Sequence, residues 1–456
     1  MRTNLLLNTD SYKASHWLQY PPGTEYVYSY IESRGGQYDK TVFFGLQAFI
    51  KEYLTESICL KDIEEAKEFW AAHGEPFNFN GWNYILRKHN GYLPLRIEAV
   101  PEGMLVPVGT PLVTVVNTDP ECFWLTSYVE TALLRAIWYP TTVATQSFYL
   151  KQMIKSYLEE TGDLAGLPFK LHDFGARGVS SQESAMLGGM AHLVNFQGSD
   201  TVAGVLGAKR WYNEPMAAFS IPAAEHSTIT TWGKTLEGET AAYENMLTKY
   251  AKPGAILAVV SDSYDIYRAC EKIWGETLRQ KVIDSGATLV IRPDSGDPVA
   301  VTLRCAQILD AKFGHTVNAK GFKVLNNVRL IQGDGVNPSS INAILMNFKA
   351  HGYSADNIAF GMGGGLLQHL NRDTQKFAMK ASAIRIKGKW QDVSKSPIGQ
   401  ADKASKGGRF TVTWERGEWS TMPLDEGIDN MLSPVYQDGK LLRDVGFPQV
   451  RYNTTL

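Results

Sequence analysis

Four short apolar runs, each ending in an acid or a glycine and each followed by an amphipathic helix, constrain this chain more than any other feature. Residues 255–260 end at Ser261-Asp262-Ser263, and residues 287–291 end at Arg292-Pro293-Asp294-Ser295-Gly296. Residues 328–331 end at Gln332-Gly333-Asp334-Gly335, and residues 357–360 end at Gly361-Met362-Gly363-Gly364-Gly365. The steps from Asp262 to Asp294, Asp294 to Asp334 and Asp334 to Gly363 are 32, 40 and 29 residues, the length of one strand–helix unit. Repeated units of that kind build a parallel sheet. Polar residues gathered at so many strand ends favour an α/β barrel over an open doubly wound sheet, which concentrates its chemistry at one or two strand ends.

Outside this region the pattern differs. Helical spacing of apolar residues predicts helices over 41–57, 61–72 and 81–89, and a mostly helical stretch over 120–160 broken at Tyr139-Pro140. Short β-prone runs between 95 and 116, separated by Pro and Gly, predict a small antiparallel sheet apart from the barrel. Past Asp373 hairpins are expected, over 377–387 and with 409–414 pairing back across 415–418. The fold class is therefore α/β: an irregular barrel over 166–379 with a second α+β domain built from both chain ends, 1–165 and 380–456. The Lys-, Ser- and Gly-rich stretch 394–408 reads as a mobile loop.

Charge and cysteine usage exclude several classes. Among 456 residues, 45 Lys and Arg nearly balance 47 Asp and Glu, with no basic block to mark a nucleic-acid or membrane-surface binder. Cys59, Cys122, Cys270 and Cys305 show no C-x-x-C spacing, which suits buried thiols in a reducing compartment. No apolar stretch reaches transmembrane length and the first residues lack a signal-type apolar core, so a cytoplasmic location is expected.

The stretch 170–232 gathers chemistry that a core alone does not call for: Phe174, Asp173, Arg177, Asp200, Glu225 and His226 beside glycines and hydroxylated turns. The glycine runs at 361–365 and 332–335 suit close backbone approach to phosphate and ribose, though a tight turn without a ligand looks the same. Arg177, Arg292, Arg329 and Arg372 at or beside strand ends would make an anion pocket if they converged, because guanidinium grips phosphate bidentately. Asp173, Asp262 and Asp294 interleaved with them suit a Mg²⁺–pyrophosphate–sugar ligand, with no metal ligated directly by side chains. P-loop, dinucleotide-fingerprint and zincin motifs are missing from the sequence.

The blocks Thr9-Asp10-Ser11-Tyr12-Lys13, 170–181, Asp200-Thr201-Val202-Ala203-Gly204, 221–230, 261–267, 291–296, 331–335 and 361–368 together resemble the type II phosphoribosyltransferases, and among them the nicotinamide phosphoribosyltransferases. The resemblance implies transfer of phosphoribose from phosphoribosyl pyrophosphate to nicotinamide with Mg²⁺, in a homodimer with shared active sites. Phe174 matches the aromatic that stacks on the pyridine, with Tyr12 of the second subunit closing the sandwich. Asp200 and Arg292 match the carboxamide end. Arg177, Arg372, Arg34, Lys395 and Lys403 match phosphate contacts, and Asp294, Gly333, Asp334, Gly363 and Gly364 match ribose and 5′-phosphate contacts. His226, beside Glu225, matches a histidine phosphorylated by ATP, and Asp262 falls in a substrate-binding block. Ala176 and Ala378 are small where animal relatives carry hydroxylated side chains, and the loop after Arg34 is shorter. The main alternative is the nicotinate-specific enzyme of the same fold; a non-catalytic binding protein on the fold and an unrelated sugar-phosphate barrel enzyme are others. A carboxylate at 200 favours the amide, since two like charges about 4 Å apart at an effective dielectric near 20 cost roughly 4 kcal/mol.

Overall fold

Every apolar run that ends in an acid or glycine forms a strand in the computed structural model, which describes residues 4–396 and 405–456. The strands are β1 (Leu171–Asp173), β2 (Gly198–Ser199), β3 (Ile256–Val260), β4 (Thr288–Arg292), β5 (Val328–Gln332) and β6 (Ile358–Met362). They pair in parallel in the order β2-β1-β6-β5-β4-β3. Helices α1 (Gln182–Leu193), α2 (Pro298–Phe313) and α3 (Pro338–Ala350) follow β1, β4 and β5. The last two start on proline, whose missing N–H costs nothing at a first helical position. Asp297 and Asn337 cap them, accepting from the amides of Ala300 (2.8 Å) and Ser340 (3.0 Å).

The two edges of this sheet are joined by an irregular segment, 219–224. Phe219 N–H donates to Gln197 O (2.8 Å) and Ser199 N–H to Phe219 O (3.2 Å) beside β2. Ala258 N–H donates to Pro222 O (2.9 Å) and Ala224 N–H to Ala258 O (3.0 Å) on β3. A barrel closed in this way keeps its edge amides paired although the segment is too irregular to be a full strand. The expected irregular barrel is observed.

The chain divides into two units. One takes in the described residues of Met1–Thr145, Gly207–Pro215 and Leu370–Leu456; the other, Gln146–Leu206 and Met216–His369, carries the barrel. The sequence reading draws its lines at 165/166 and 379/380, and the division falls at 145/146 and 369/370. Gly207–Pro215 groups with the first unit because Tyr212 stacks on Phe44 (5.1 Å) and donates to the half-buried Glu102 (2.6 Å), while Gln47 donates to Trp211 O (2.7 Å). Among the described residues no helix is long and apolar enough to cross a membrane.

The first unit is built on a seven-stranded antiparallel sheet, larger than the small one expected. Its long strand Thr24–Ser33 is flanked by Phe377–Ile386 and Val113–Asn117. The expected hairpin over 377–387 is one long strand that turns at Lys387-Gly388, both at positive φ, into Lys389–Asp392. Helices Leu60–His73 and Phe79–Lys88 form as the spacing predicts, and so does the hairpin of Phe410–Glu415 with Glu418–Pro423.

Two helical expectations fail around one point. In place of a helix over 41–57, Lys40–Val42 is a strand, and helical structure begins only at Leu46, widening to a π-helical turn over Ile50–Leu54. The interruption is Gly45, at φ +107. The expected break at Pro140 is missing, and Glu130–Thr161 runs on as one helix. Proline removes the donor to the carbonyl four residues back, and that carbonyl, Ala136 O, lies against Gly45, where a Cβ would come within 3.1 Å of it and 2.4 Å of Pro140 Cγ. Gly45→Ala therefore combines a disfavoured φ with a clash, and is expected to cost about 2–4 kcal/mol in urea unfolding. Gly74→Ala, at φ +92 but with open space around its Cβ position, is expected to cost about 1 kcal/mol. Equal costs would remove the close Pro140 contact from the explanation.

Candidate active site

The barrel interior is not filled. Ala258, Val290 and Ile331 line it with Phe174, Ile221 and Ala359, and side chains this small leave a cavity of about 490 Å³ where barrels of this kind ordinarily pack solid. Phe174, Asp200, Ser220 and Arg292 line its carboxyl end, and Lys170 and Arg329 its amino end.

Phe174 sits on a backbone seat. Its N–H donates to Met362 O (3.0 Å), and its ring lies where a side chain at Gly361 would be, since a Cβ there would fall 1.9 Å from Phe174 Cε2. Gly333 is less tightly placed, with its Cβ position 3.4 Å from the ring and 3.3 Å from Asp294 Oδ1. Gly361 was missed as a site residue although it stands first in the glycine run; the sequence does not show that a ring fills its vacant space.

Asp200 follows β2, with its N–H donated to Asp173 O (2.9 Å). Ser220, on the closing segment, donates its hydroxyl to Asp200 Oδ1 (2.5 Å). Ser220 was also missed, because nothing in the sequence marks 219–224 as the segment that closes the barrel beside β2. Arg292 reaches Asp294 Oδ2 (3.3 Å) at the end of β4, and its buried Nε has no partner among the described residues.

His226 begins a five-residue helix after Glu225, whose N–H donates to Thr228 Oγ1 (3.2 Å). Its imidazole Nε2 lies 2.9 Å from Asp262 Oδ1, with the histidine side chain 45% and the aspartate 4% exposed. Asp262 Oδ2 accepts from Asp294 N–H (3.0 Å) and from Ser295 Oγ (2.6 Å). Both oxygens of Asp262 are thus engaged, and the acid links the histidine to the end of β4. Arg177 is exposed after β1, in a turn that abuts the glycine run: a Cβ on Gly178 would lie 3.4 Å from Gly364 N. Asp334 is exposed after β5.

Two buried groups are shifted by their surroundings. Burial pushes the Asp173 carboxyl up to about 6; Gly175 N–H and Thr201 oppose the shift, and the charge of Asp200 adds to it. Since this lies above the unfolded value of 3.8, the folded chain holds the proton more tightly between the two, and stability falls as pH rises through that window. Burial lowers the His172 imidazole, whose Nε2 lies 2.9 Å from Phe169 O.

The three arginines on the barrel do not converge. Arg177 and Arg292 lie at the carboxyl end of the barrel, whereas Arg329 donates to Leu325 O (2.5 Å) and Val328 O (2.7 Å) at the amino end of β5. Lys170 likewise serves carbonyls there, those of Ala355, Asp356 and Ile358. Arg329 sits one residue inside its strand, so its side chain satisfies the backbone entering the sheet. Arg372 belongs to the other unit, paired with Asp373 (3.4 Å). Tyr12 (54% exposed), Arg34 against Glu32 (3.7 Å) and Lys395, bonded through its backbone to Ser405, are in that unit too. Lys403 and the middle of the 394–408 loop lie outside the described residues.

Comparison with known proteins agrees with this architecture. The profile described as the nicotinate phosphoribosyltransferase (NAPRTase) family matches residues 169–440, and that of the nicotinamide phosphoribosyltransferase N-terminal domain matches residues 4–97. The chain is 57% identical to the nicotinamide phosphoribosyltransferase of Xanthomonas campestris pv. campestris, over 98% of this chain and 97% of that protein. It is 34% identical to the Acinetobacter baylyi protein of the same name, over 87% and 85%. Among solved structures, nicotinate-nucleotide pyrophosphorylase from Pyrococcus furiosus superposes with TM-score 0.64 at 16% identity, over 99% of this chain and 95% of that one. Human nicotinic acid phosphoribosyltransferase gives 0.56, also at 16%, over 98% and 92%, and at these identities the likeness speaks to the fold. With its barrel, its closing segment and both profiles in place, the chain belongs to the nicotinate phosphoribosyltransferase family.

Proposed function

We propose that the protein transfers the phosphoribosyl group of phosphoribosyl pyrophosphate to nicotinamide in the cytoplasm, giving nicotinamide mononucleotide and pyrophosphate. The observation that carries this reading is Asp200 at the mouth of the Phe174-lined cavity, with one oxygen held by the Ser220 hydroxyl. The other oxygen accepts the carboxamide N–H of nicotinamide, whereas the carboxylate of nicotinate would meet like charge. The names of the relatives point the same way.

In this reading Phe174 stacks on the pyridine and Arg292 faces the carboxamide carbonyl. The pyridine nitrogen uses its lone pair to bond ribose C1 as the C1–O bond to pyrophosphate breaks. Positive charge ends on the pyridinium and negative charge on the pyrophosphate, which Arg177 receives. Asp294 and Asp334, with the backbone at Gly333, Gly363 and Gly364, hold ribose and 5′-phosphate. Asp294 and Asp334 reach solvent at neighbouring strand ends, while both oxygens of Asp262 are taken. This donor set fits Mg²⁺ held through phosphate, which when bound would neutralise charge on the leaving group. A second subunit supplies Tyr12, Arg34, Lys395 and Lys403, with Arg372 on phosphate.

His226 is the residue phosphorylated by ATP. Its contact with Asp262 places the imidazole proton on Nε2 and leaves the Nδ1 lone pair as nucleophile for the γ-phosphorus, with ADP leaving. Asp262 ties this event to the β4 end that carries Arg292 and Asp294.

The deciding experiment is a product assay with each pyridine, with and without ATP. Nicotinamide is expected to be turned over at least about a hundredfold more efficiently than nicotinate, below the unscreened limit because Asp200 is exposed. Equal turnover would sink the amide assignment, and no nucleotide product from either would sink the enzyme reading. Asp200→Ser is expected to narrow the preference about tenfold or more, and an unchanged ratio would remove Asp200 from the argument. Incubation with ATP and Mg²⁺ is expected to leave acid-labile phosphate on wild type and none on His226→Ala; undiminished labelling of the variant would overturn the assignment.

A further inference from the structure

Asp173 ends β1 with none of its surface exposed, whereas Asp200, Asp294 and Asp334, at or just after other strand ends, reach solvent. Its two polar arms reach in different directions. Oδ1 accepts from Gly175 N–H (2.7 Å) across Phe174, and the main-chain carbonyl accepts from Asp200 N–H (2.9 Å). Among the described residues Oδ2 makes no close hydrogen bond; it is buried beside α1, 3.3 Å from where Gly189 would place a Cβ. The hydroxyl of Thr201, the residue after Asp200, is also buried; it is the side chain that holds the Asp173 carboxyl down against burial, and its Cγ2 lies 2.8 Å from that same Gly189 Cβ position. A buried carboxyl with an unpaired oxygen costs stability that an apolar residue would not. What it supplies in return is the bond that holds the turn after Phe174.

We propose that Asp173 is a positioning residue of the pyridine site: one buried side chain fixes the Phe174-Gly175 turn while its own backbone fixes Asp200, so that the ring face and the carboxylate meet the nicotinamide in one geometry. It acts through Phe174 and Asp200 and does not touch the ligand. The role rests on the nicotinamide reading above, and goes beyond it by naming what sets the spacing of the two contacts.

The test compares Asp173→Asn, which keeps the acceptor for Gly175, with Asp173→Val, a β-branched apolar replacement that suits a strand and cannot accept. Michaelis constants for nicotinamide and for phosphoribosyl pyrophosphate are measured on each, with thermal melting as a check on folding. The Asn variant is expected to stay within about threefold of wild type on both substrates. The Val variant is expected to raise the nicotinamide KM about tenfold or more, with the phosphoribosyl pyrophosphate KM within about twofold. An unchanged nicotinamide KM, or a parallel rise for both substrates, overturns the proposal. So does a Val variant and an Asp173→Ala variant that both fail to fold while Asn behaves as wild type, since that outcome makes the bond structural alone. A wild-type protein inactive on nicotinamide would instead overturn the reading beneath it.

Discussion

Closure of the barrel by 219–224 is the constraint on which the rest of the site depends. Four backbone hydrogen bonds join this segment to the residues around β2 on one side and to β3 on the other, and the residues on and just after it are then fixed against both. Ser220 comes to Asp200 because its neighbour Phe219 pairs beside β2. His226 comes to Asp262 because Ala223 pairs with Ala258, four residues before that acid. A shift of the segment by one residue would reverse which side chains face the cavity, and both acids would lose their partners together. The irregularity is therefore part of the site's construction: a longer regular strand would carry its side chains straight past the rim.

How much of this was legible depended on what each element needs. The strands and the acids and glycines at their ends stand out because a buried parallel strand must be apolar throughout and its polar residues can appear only where it emerges. That sufficed to place Asp262, Arg292, Asp294 and Gly333 at one end of a barrel. It failed for Arg329, one residue inside the other end of its strand, since a sequence does not tell which backbone carbonyls lack donors. It failed again at Gly45 and Pro140, where a residue that breaks helices was read by its local rule while its neighbour in space supplied the room that the rule assumes is absent. Ser220 and Gly361 were illegible for a related reason, because each matters through a contact with a residue more than fifteen positions away.

The cavity follows from composition. Barrel interiors close when branched side chains from alternate strands interlock; here Ala258 and Ala359 fall on inward positions, and the volume they leave is lined by Phe174 at the carboxyl end. A flat apolar ligand entering such a space gains contact on its faces without displacing a packed core. The same emptiness raises the demand on positioning, because a ring with free space beside it has several orientations available. Gly361 answers part of that demand by letting the ring of Phe174 lie directly on the backbone of β6, where any Cβ would push it away.

The remaining part is electrostatic and separates two kinds of acid in the barrel. Asp262 is buried and fully bonded, so its charge is compensated by His226, by a backbone amide and by Ser295. Asp173 is buried and only half bonded, and burial holds its carboxyl near 6. An apolar core would tolerate neither as an isolated charge. The first is accounted for by the network it completes, since removing it would leave an amide and a hydroxyl unpaired at the end of β4. The second has no such network among the described residues, and its one close side-chain bond runs to the turn that carries the aromatic ring. Where a strand keeps a costly acid for the sake of a single bond, the geometry which that bond sets is what distinguishes it from the aliphatic residues that pack the rest of the barrel.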